Sequence, residues 1–143
     1  MKAFENLVPA LSRILLSLIF VLAGYRKLTT VAATVVQMAH QGIPYSNVLV
    51  WGAIAIELGG GLMLIAGLFT RCIAFALAIY IFVLALLFHA YWTVPAAEAR
   101  NQFNAFFEHL AMIGGMFYVV VFGPGAYSID ALLGRQAKRP AIA

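Results

Sequence analysis

Apolar and polar positions alternate in long blocks along the chain. About 20 mostly apolar residues are needed to cross roughly 30 Å of hydrocarbon. Four stretches meet or approach that length: about Leu7–Leu28, Val48–Phe69, Cys72–Trp92 and Phe103–Phe122. The pattern predicts an all-α, four-helix transmembrane bundle forming a single domain. Between the first two spans, Thr29 to His40 carries alanine, valine and methionine at roughly helical spacing before Gln41-Gly42-Ile43-Pro44 breaks it. A short helix lying on the membrane surface is expected there. Thr70-Arg71 leaves so little chain between the second and third spans that they must be antiparallel neighbours. Thr93 to Asn101 reads as a short polar loop. Gly123-Pro124-Gly125 ends the fourth helix, and Ser128 is placed to cap a short tail helix running through Asp130 to Leu133.

Composition supports this picture. Of the 143 residues, 64% are hydrophobic and 10% charged, whereas soluble domains carry about 25% charged residues. Too little polar surface is present to face water, so the solvent is lipid. The net charge of +4 comes without a basic run interleaved with aromatics, which argues against nucleic acid as a partner. The first apolar run ends in Tyr25-Arg26-Lys27 with no small-residue cleavage pattern, so it is read as a retained span and not a removed leader. Lysine and arginine bias orients the bundle. Lys2, Arg13, Arg71, Arg135, Lys138 and Arg139 fall on one side, and Arg26, Lys27 and Arg100 on the other. The expected topology has both termini in the cytoplasm.

Ionisable residues inside the spans carry the candidate chemistry. Each costs at least about 2.5–3.5 kcal/mol in hydrocarbon unless it faces other helices or a wet cavity. At a rise of about 1.5 Å per residue, Glu57 lies roughly 13 Å below the outer end of its span. His89 sits near the outer end of the third span, Glu108 and His109 roughly 8–9 Å into the fourth, and Lys27 closes the first on the same side. Alternating helix directions therefore bring all five into the outer half of the bundle. Asn101, Asn104 and Glu108 share one stripe of the fourth helix by i, i+3 and i+4 spacing. His109 lies about 100° round from Glu108, so only one of the two can point straight into a narrow centre.

Two readings follow. In the functional one, these groups line a polar pocket: Glu57 and His89 exchange protons with a ligand, histidine titrating near neutrality, and Lys27 tunes their charge. In the structural one, Lys27 and Glu57 pair to fix helix register and the histidines bond to backbone carbonyls. Arg13, roughly 21 Å from Lys27 along the first helix, is expected to snorkel to headgroup phosphate. A metal site is disfavoured because neither HxxxH nor ExxH spacing is present. The single cysteine, Cys72, excludes an internal disulfide or dithiol centre. Electrons, if any pass, must come from a partner, since no dinucleotide fingerprint or haem attachment motif is present either.

The ordered motifs Gly24-Tyr25-Arg26-Lys27-Leu28, Glu57-Leu58-Gly59-Gly60-Gly61, Gly67-Leu68-Phe69-Thr70-Arg71, His89, and Gly123-Pro124-Gly125-Ala126-Tyr127-Ser128-Ile129-Asp130 resemble the DoxX family of small bacterial membrane proteins, from about Arg13 to Leu133. The resemblance implies a four-helix inner-membrane protein linked to redox chemistry. Its members are associated with quinone or thiosulfate oxidation, detoxification of aromatic compounds, and complexes handling oxidative and thiol stress. By position, Arg13, Lys27, Glu57 and His89 match the family pattern. Where relatives often carry Lys-Asn-Leu, this chain has Glu108-His109-Leu110. The expectation is a redox accessory protein with a quinone or small aromatic ligand near Glu57 and His89, assisted by Lys27, Arg13, Glu108, His109 and Asn104, and a soluble or membrane redox partner. Alternatives are a non-catalytic anchor for soluble partners, in which Arg71 and the tail matter most, and a small-solute transporter acting as a homo-oligomer.

Overall fold

The structure, a computed structural model, describes residues 2–134; Arg135, Lys138 and Arg139, part of the orientation signal, lie outside the described residues. Helix α1 (Lys2–Thr29) is followed by the short α2 (Val31–His40). The second span, Ser46–Ala66, is built from α3 (Ser46–Ile54), one wide π-helical turn (Ala55–Gly59) and α4 (Gly60–Ala66). Helix α5 (Thr70–Phe88) and the 27-residue α6 (Ala96–Phe122) complete the four spans, and α7 (Ile129–Leu132) closes the described chain.

The four spans and the intervening short helix stand where the hydrophobic pattern places them, with shifted ends. The third span stops at Phe88, so His89 caps it instead of lying within it. The fourth begins at Ala96, about two turns early, and takes up most of the expected polar loop. Pro95 explains this start: its fixed φ and missing N–H suit a helix beginning. The second-to-third link is Gly67-Leu68-Phe69, with Gly67 and Phe69 both at positive φ.

Each helix buries one narrow stripe. On α1 it runs Ala10, Arg13, Ser17, Phe20, Gly24; on the second span Val50, Ile54, Glu57, Gly61, Leu64. These alternate at three and four residues, the spacing of helices that cross at small angles. Gly24 is required where α1 meets the π turn, since a Cβ there would lie 2.6 Å from the backbone nitrogen of Leu58. Phe20, Leu64, Leu77, Ile81 and Met116 join in one apolar cluster across α1, α4, α5 and α6.

At the end of the bundle where α1 begins, the outcome for Arg13 differs from expectation. It is only 2% exposed and does not reach toward headgroups. Its guanidinium donates to the carbonyl oxygens of Pro124, of Ile65 (3.1 Å) and of Tyr127 (2.8 Å). The physical cause is the set of carbonyls left without partners where α4 and α6 end; a buried cation with several donors satisfies them better than lipid can. Beside it, the Asp130 carboxylate accepts from the backbone N–H of Phe69 (2.9 Å) and Thr70 (2.8 Å), capping α5 from the tail. Ser128 caps α7 as its position suggests, its Oγ accepting from Ala131 N–H at 3.1 Å.

Candidate functional site

The buried stripe of α1 runs on to Lys27, one turn beyond Gly24, which brings its ammonium beside the π turn. Lys27 Nζ donates to both carboxylate oxygens of Glu57, at 2.9 and 2.8 Å. Glu57 is 2% exposed, and its Oε1 also accepts the Tyr80 hydroxyl from α5 at 2.6 Å. One carboxylate is thus held by donors from two other helices. Three charge-assisted bonds offset the desolvation that a buried carboxylate suffers.

This triad forms one wall of a cavity of about 730 Å³. Helices α1, α2, the second span and α5 line it, together with His89 and His109. Its volume falls in the range of small-molecule sites, and a few polar groups set in apolar walls are the usual composition of such sites. Tyr80 and His89 are nine positions apart on or just past α5, so about 14 Å separates the triad from the histidines along the bundle axis. The cavity has a carboxylate pole near the middle of the span and an imidazole pole at the end where α5 stops.

At the imidazole pole the two rings lie 4.7 Å apart between centroids. His109 Nδ1 is 2.7 Å from the Ala105 carbonyl, an acceptor, so Nδ1 carries the proton. His89 Nδ1 is 2.8 Å from Gln102 Oε1 and by the same logic donates. In the neutral ring Nε2 of each is then a lone-pair nitrogen. The structural reading is realised at His109, whose ring is satisfied by a carbonyl, yet the ring still borders the cavity.

The expected residues divide cleanly. Lys27, Glu57, His89 and His109 come together around the cavity. Glu108 and Asn104 are exposed on another face of α6, and Arg13 sits at the far end among the carbonyls described above. Of the adjacent pair Glu108-His109, the histidine is the one turned inward. Tyr80 and Gln102 were missed by sequence reasoning. Tyr80 carried a signal: it is a hydroxyl in the middle of a span, far from either interface where tyrosines ordinarily gather. Gln102 carried one in its register with His109 at i, i+7. Among the described residues no three His, Cys, Asp or Glu side chains converge as metal ligands.

The DoxX family profile matches residues 8–90, which include most of α1, the π turn, Tyr80 and His89. The chain belongs to the DoxX family. The inner membrane protein YqjF of Escherichia coli (strain K12) is 35% identical over 136 residues, covering 95% of this chain and 99% of that relative. Inner membrane protein YphA of the same organism is 30% identical over 121 residues, covering 84% and 86%. A Surfeit locus protein 4 homolog of Drosophila melanogaster is 34% identical over 85 residues, 57% of this chain and 32% of its own length. No solved structure matches. This DoxX protein is a multi-pass protein of the inner membrane. The profile covers three of the four cavity residues anticipated from the sequence; the DoxX match ends before His109.

Proposed function

We propose that this DoxX protein is a redox accessory protein that binds a quinone-like or small aromatic ligand in the Glu57 cavity. The observation that carries this reading is a fully bonded carboxylate, with an ammonium and a phenol on it, facing a mostly apolar space of ligand size. A ring carbonyl needs a hydrogen-bond donor, and the Lys27 ammonium keeps one N–H beyond the two it gives to Glu57. A ring needs apolar walls, which Leu84, Phe88 and Ile56 supply.

Reduction of a quinone to a quinol takes two electrons and two protons. A partner protein supplies the electrons. This chain's residues handle the protons: Tyr80 donates to Glu57, and Glu57 lies between Tyr80 and Lys27 where a proton released or taken up by the ligand can be held. His89 and His109 stand about 14 Å nearer the end of the bundle, beyond direct reach of that carboxylate. Their place suits proton exchange between the cavity and the outside. With both termini cytoplasmic, that side is the periplasm.

The transporter alternative finds less support. Phe20, Leu64, Leu77 and Met116 fill the bundle between the cavity and Arg13, leaving a packed apolar plug where a solute path would run.

The test is quinone binding to the purified full chain, monitored by quenching of tryptophan fluorescence. Saturable binding that falls about tenfold or more (~1.4 kcal/mol) in Glu57→Gln and Tyr80→Phe is expected. Wild-type protein that takes up no quinone, or variants that bind it equally well, would sink the proposal.

A further inference from the structure

The cavity's two long walls do not meet at the side. Just after the π turn, α4 and α5 touch: a Cβ on Gly60 would lie 3.2 Å from Leu77 Cδ2. Two turns earlier on the same span, a Cβ on Gly52 would meet nothing within 4 Å. The second span therefore packs against α5 below Glu57 and diverges from it above. Between the two positions lies the wide turn Ala55–Gly59, and a π turn is a known cause of a bend in a helix.

Both lips of the gap are apolar, and each is exposed. Leu49 (46% exposed) and Ile56 (44%) on the second span face the cavity, as do Val83 (45%) and Leu87 (57%) on α5. Leu49, Gly52 and Ile56 follow one helical stripe, and Tyr80, Val83 and Leu87 another, each ending at the carboxylate pole. Val83 and Leu87 lie about 5–11 Å from Tyr80 toward the imidazole pole. That range is within the hydrocarbon, above the middle of a 19-residue span. At that depth the gap is level with the acyl chains of a bilayer.

We propose that this seam is a lateral portal, and that the ligand of the cavity is an amphipathic lipid whose single hydrocarbon tail lies through the seam into the bilayer while its ring meets Lys27, Glu57 and Tyr80. The inference rests on the quinone-like reading above and narrows it to a tailed, membrane-dissolved class. A ligand without a tail would leave the apolar lips facing lipid to no purpose. A tailed ligand reaches the carboxylate pole without leaving hydrocarbon, and its tail replaces lipid between Gly52 and Leu87. The rim of the cavity at Arg26, Gln37 and His89 is polar by contrast and suits water and protons.

Gly52 makes the portal testable, because a side chain added there enters open space and not the packed core. The experiment compares a benzoquinone bearing a decyl tail with the same ring bearing a methyl group, on the full chain in phosphatidylcholine nanodiscs, with affinities referred to concentration in the lipid phase. Gly52→Phe plugs one lip and Leu87→Trp, on an exposed position of the other, is the second plug. Wild type is expected to prefer the decyl form. Each plug is expected to weaken the decyl form about tenfold or more and to leave the methyl form within about threefold. Equal affinity of wild type for the two forms, or plugs that weaken both alike or neither, overturns the portal while the quinone-like reading stands. Failure of wild type to bind either ring overturns both. A co-purified phospholipid that saturating decyl-quinone does not displace also overturns the portal's assignment to a quinone tail.

Discussion

Gly24 and Leu58 lie in backbone contact, close enough that a Cβ on Gly24 would stand 2.6 Å from the Leu58 nitrogen. One turn further on, Lys27 reaches Glu57. The closeness of α1 to the π turn is therefore what sets the length of the ion pair. Gly24→Val should push the helices apart, weaken the pair and destabilise the fold by about 1–3 kcal/mol. Thermal unfolding in detergent reads the loss. A Gly24→Val variant as stable as wild type would show that the contact is slack.

Removing one partner of a buried pair strands the other. Lys27→Met leaves the Glu57 carboxylate, 3% exposed at its side chain, without its cation, an effect of about 3–5 kcal/mol. The double variant Lys27→Met/Glu57→Gln should recover most of that stability, because no charge remains buried. A double-mutant cycle by chemical unfolding measures the coupling; additive losses would contradict the pairing.

Tyr80→Phe removes one donor from the same carboxylate and leaves the ring. Loss of a hydrogen bond to a charged group is expected to lower stability by about 1.5–3 kcal/mol. The effect should vanish in a Glu57→Gln background if Tyr80 acts through Glu57. An undiminished effect there would assign the phenol another role.

Glu108 and His109 are neighbours in sequence on different faces of α6. His109→Ala removes a cavity wall and is expected to alter ligand binding. Glu108→Gln, on the exposed face, is expected to leave binding within about twofold, well under the ~1.4 kcal/mol of a tenfold change. Titrations of the two variants with the decyl-quinone separate them, and the reverse order would contradict the observed rotation of α6.

At the opposite end, Asp130→Ala takes the cap from α5 and should cost about 0.5–2 kcal/mol. Arg13→Met deprives three carbonyls of their donor and should cost more. Both should raise hydrogen exchange in Gly123–Leu133 before they change exchange at the Glu57 cavity. Protection unchanged in that segment would show that the tail is held by other contacts.

Arg13 and Lys27 show how far a single sequence reaches. Both lie on one stripe of α1, at positions whose depth follows from counting residues. That count placed Lys27 with Glu57, His89, Glu108 and His109, and the structure brings all of these but Glu108 around one cavity. It also placed Arg13 at the far end, but not its partners. The carbonyls it binds belong to residues 52 to 114 positions away, freed by helix ends that the pattern located only to within a few residues. The boundary of α6 shows the same difficulty: Ala96 to Asn101, with Glu98, Arg100 and Asn101 among them, read as loop because composition, unlike Pro95, does not mark where a helix begins.

The sequence alone determined that the chain dissolves in lipid, how many times it crosses, and roughly how far along their helices Lys27 and Glu57 lie. Those are properties of transfer free energy and of a fixed rise per residue, and they add along the chain. Only the tertiary structure decided direction: that His109 and not Glu108 turns inward, that Tyr80 reaches Glu57, and that Gly60 packs on Leu77 while Gly52 faces open space. Direction about a helix axis depends on which neighbour packs where, and that is set by contacts between segments far apart in sequence.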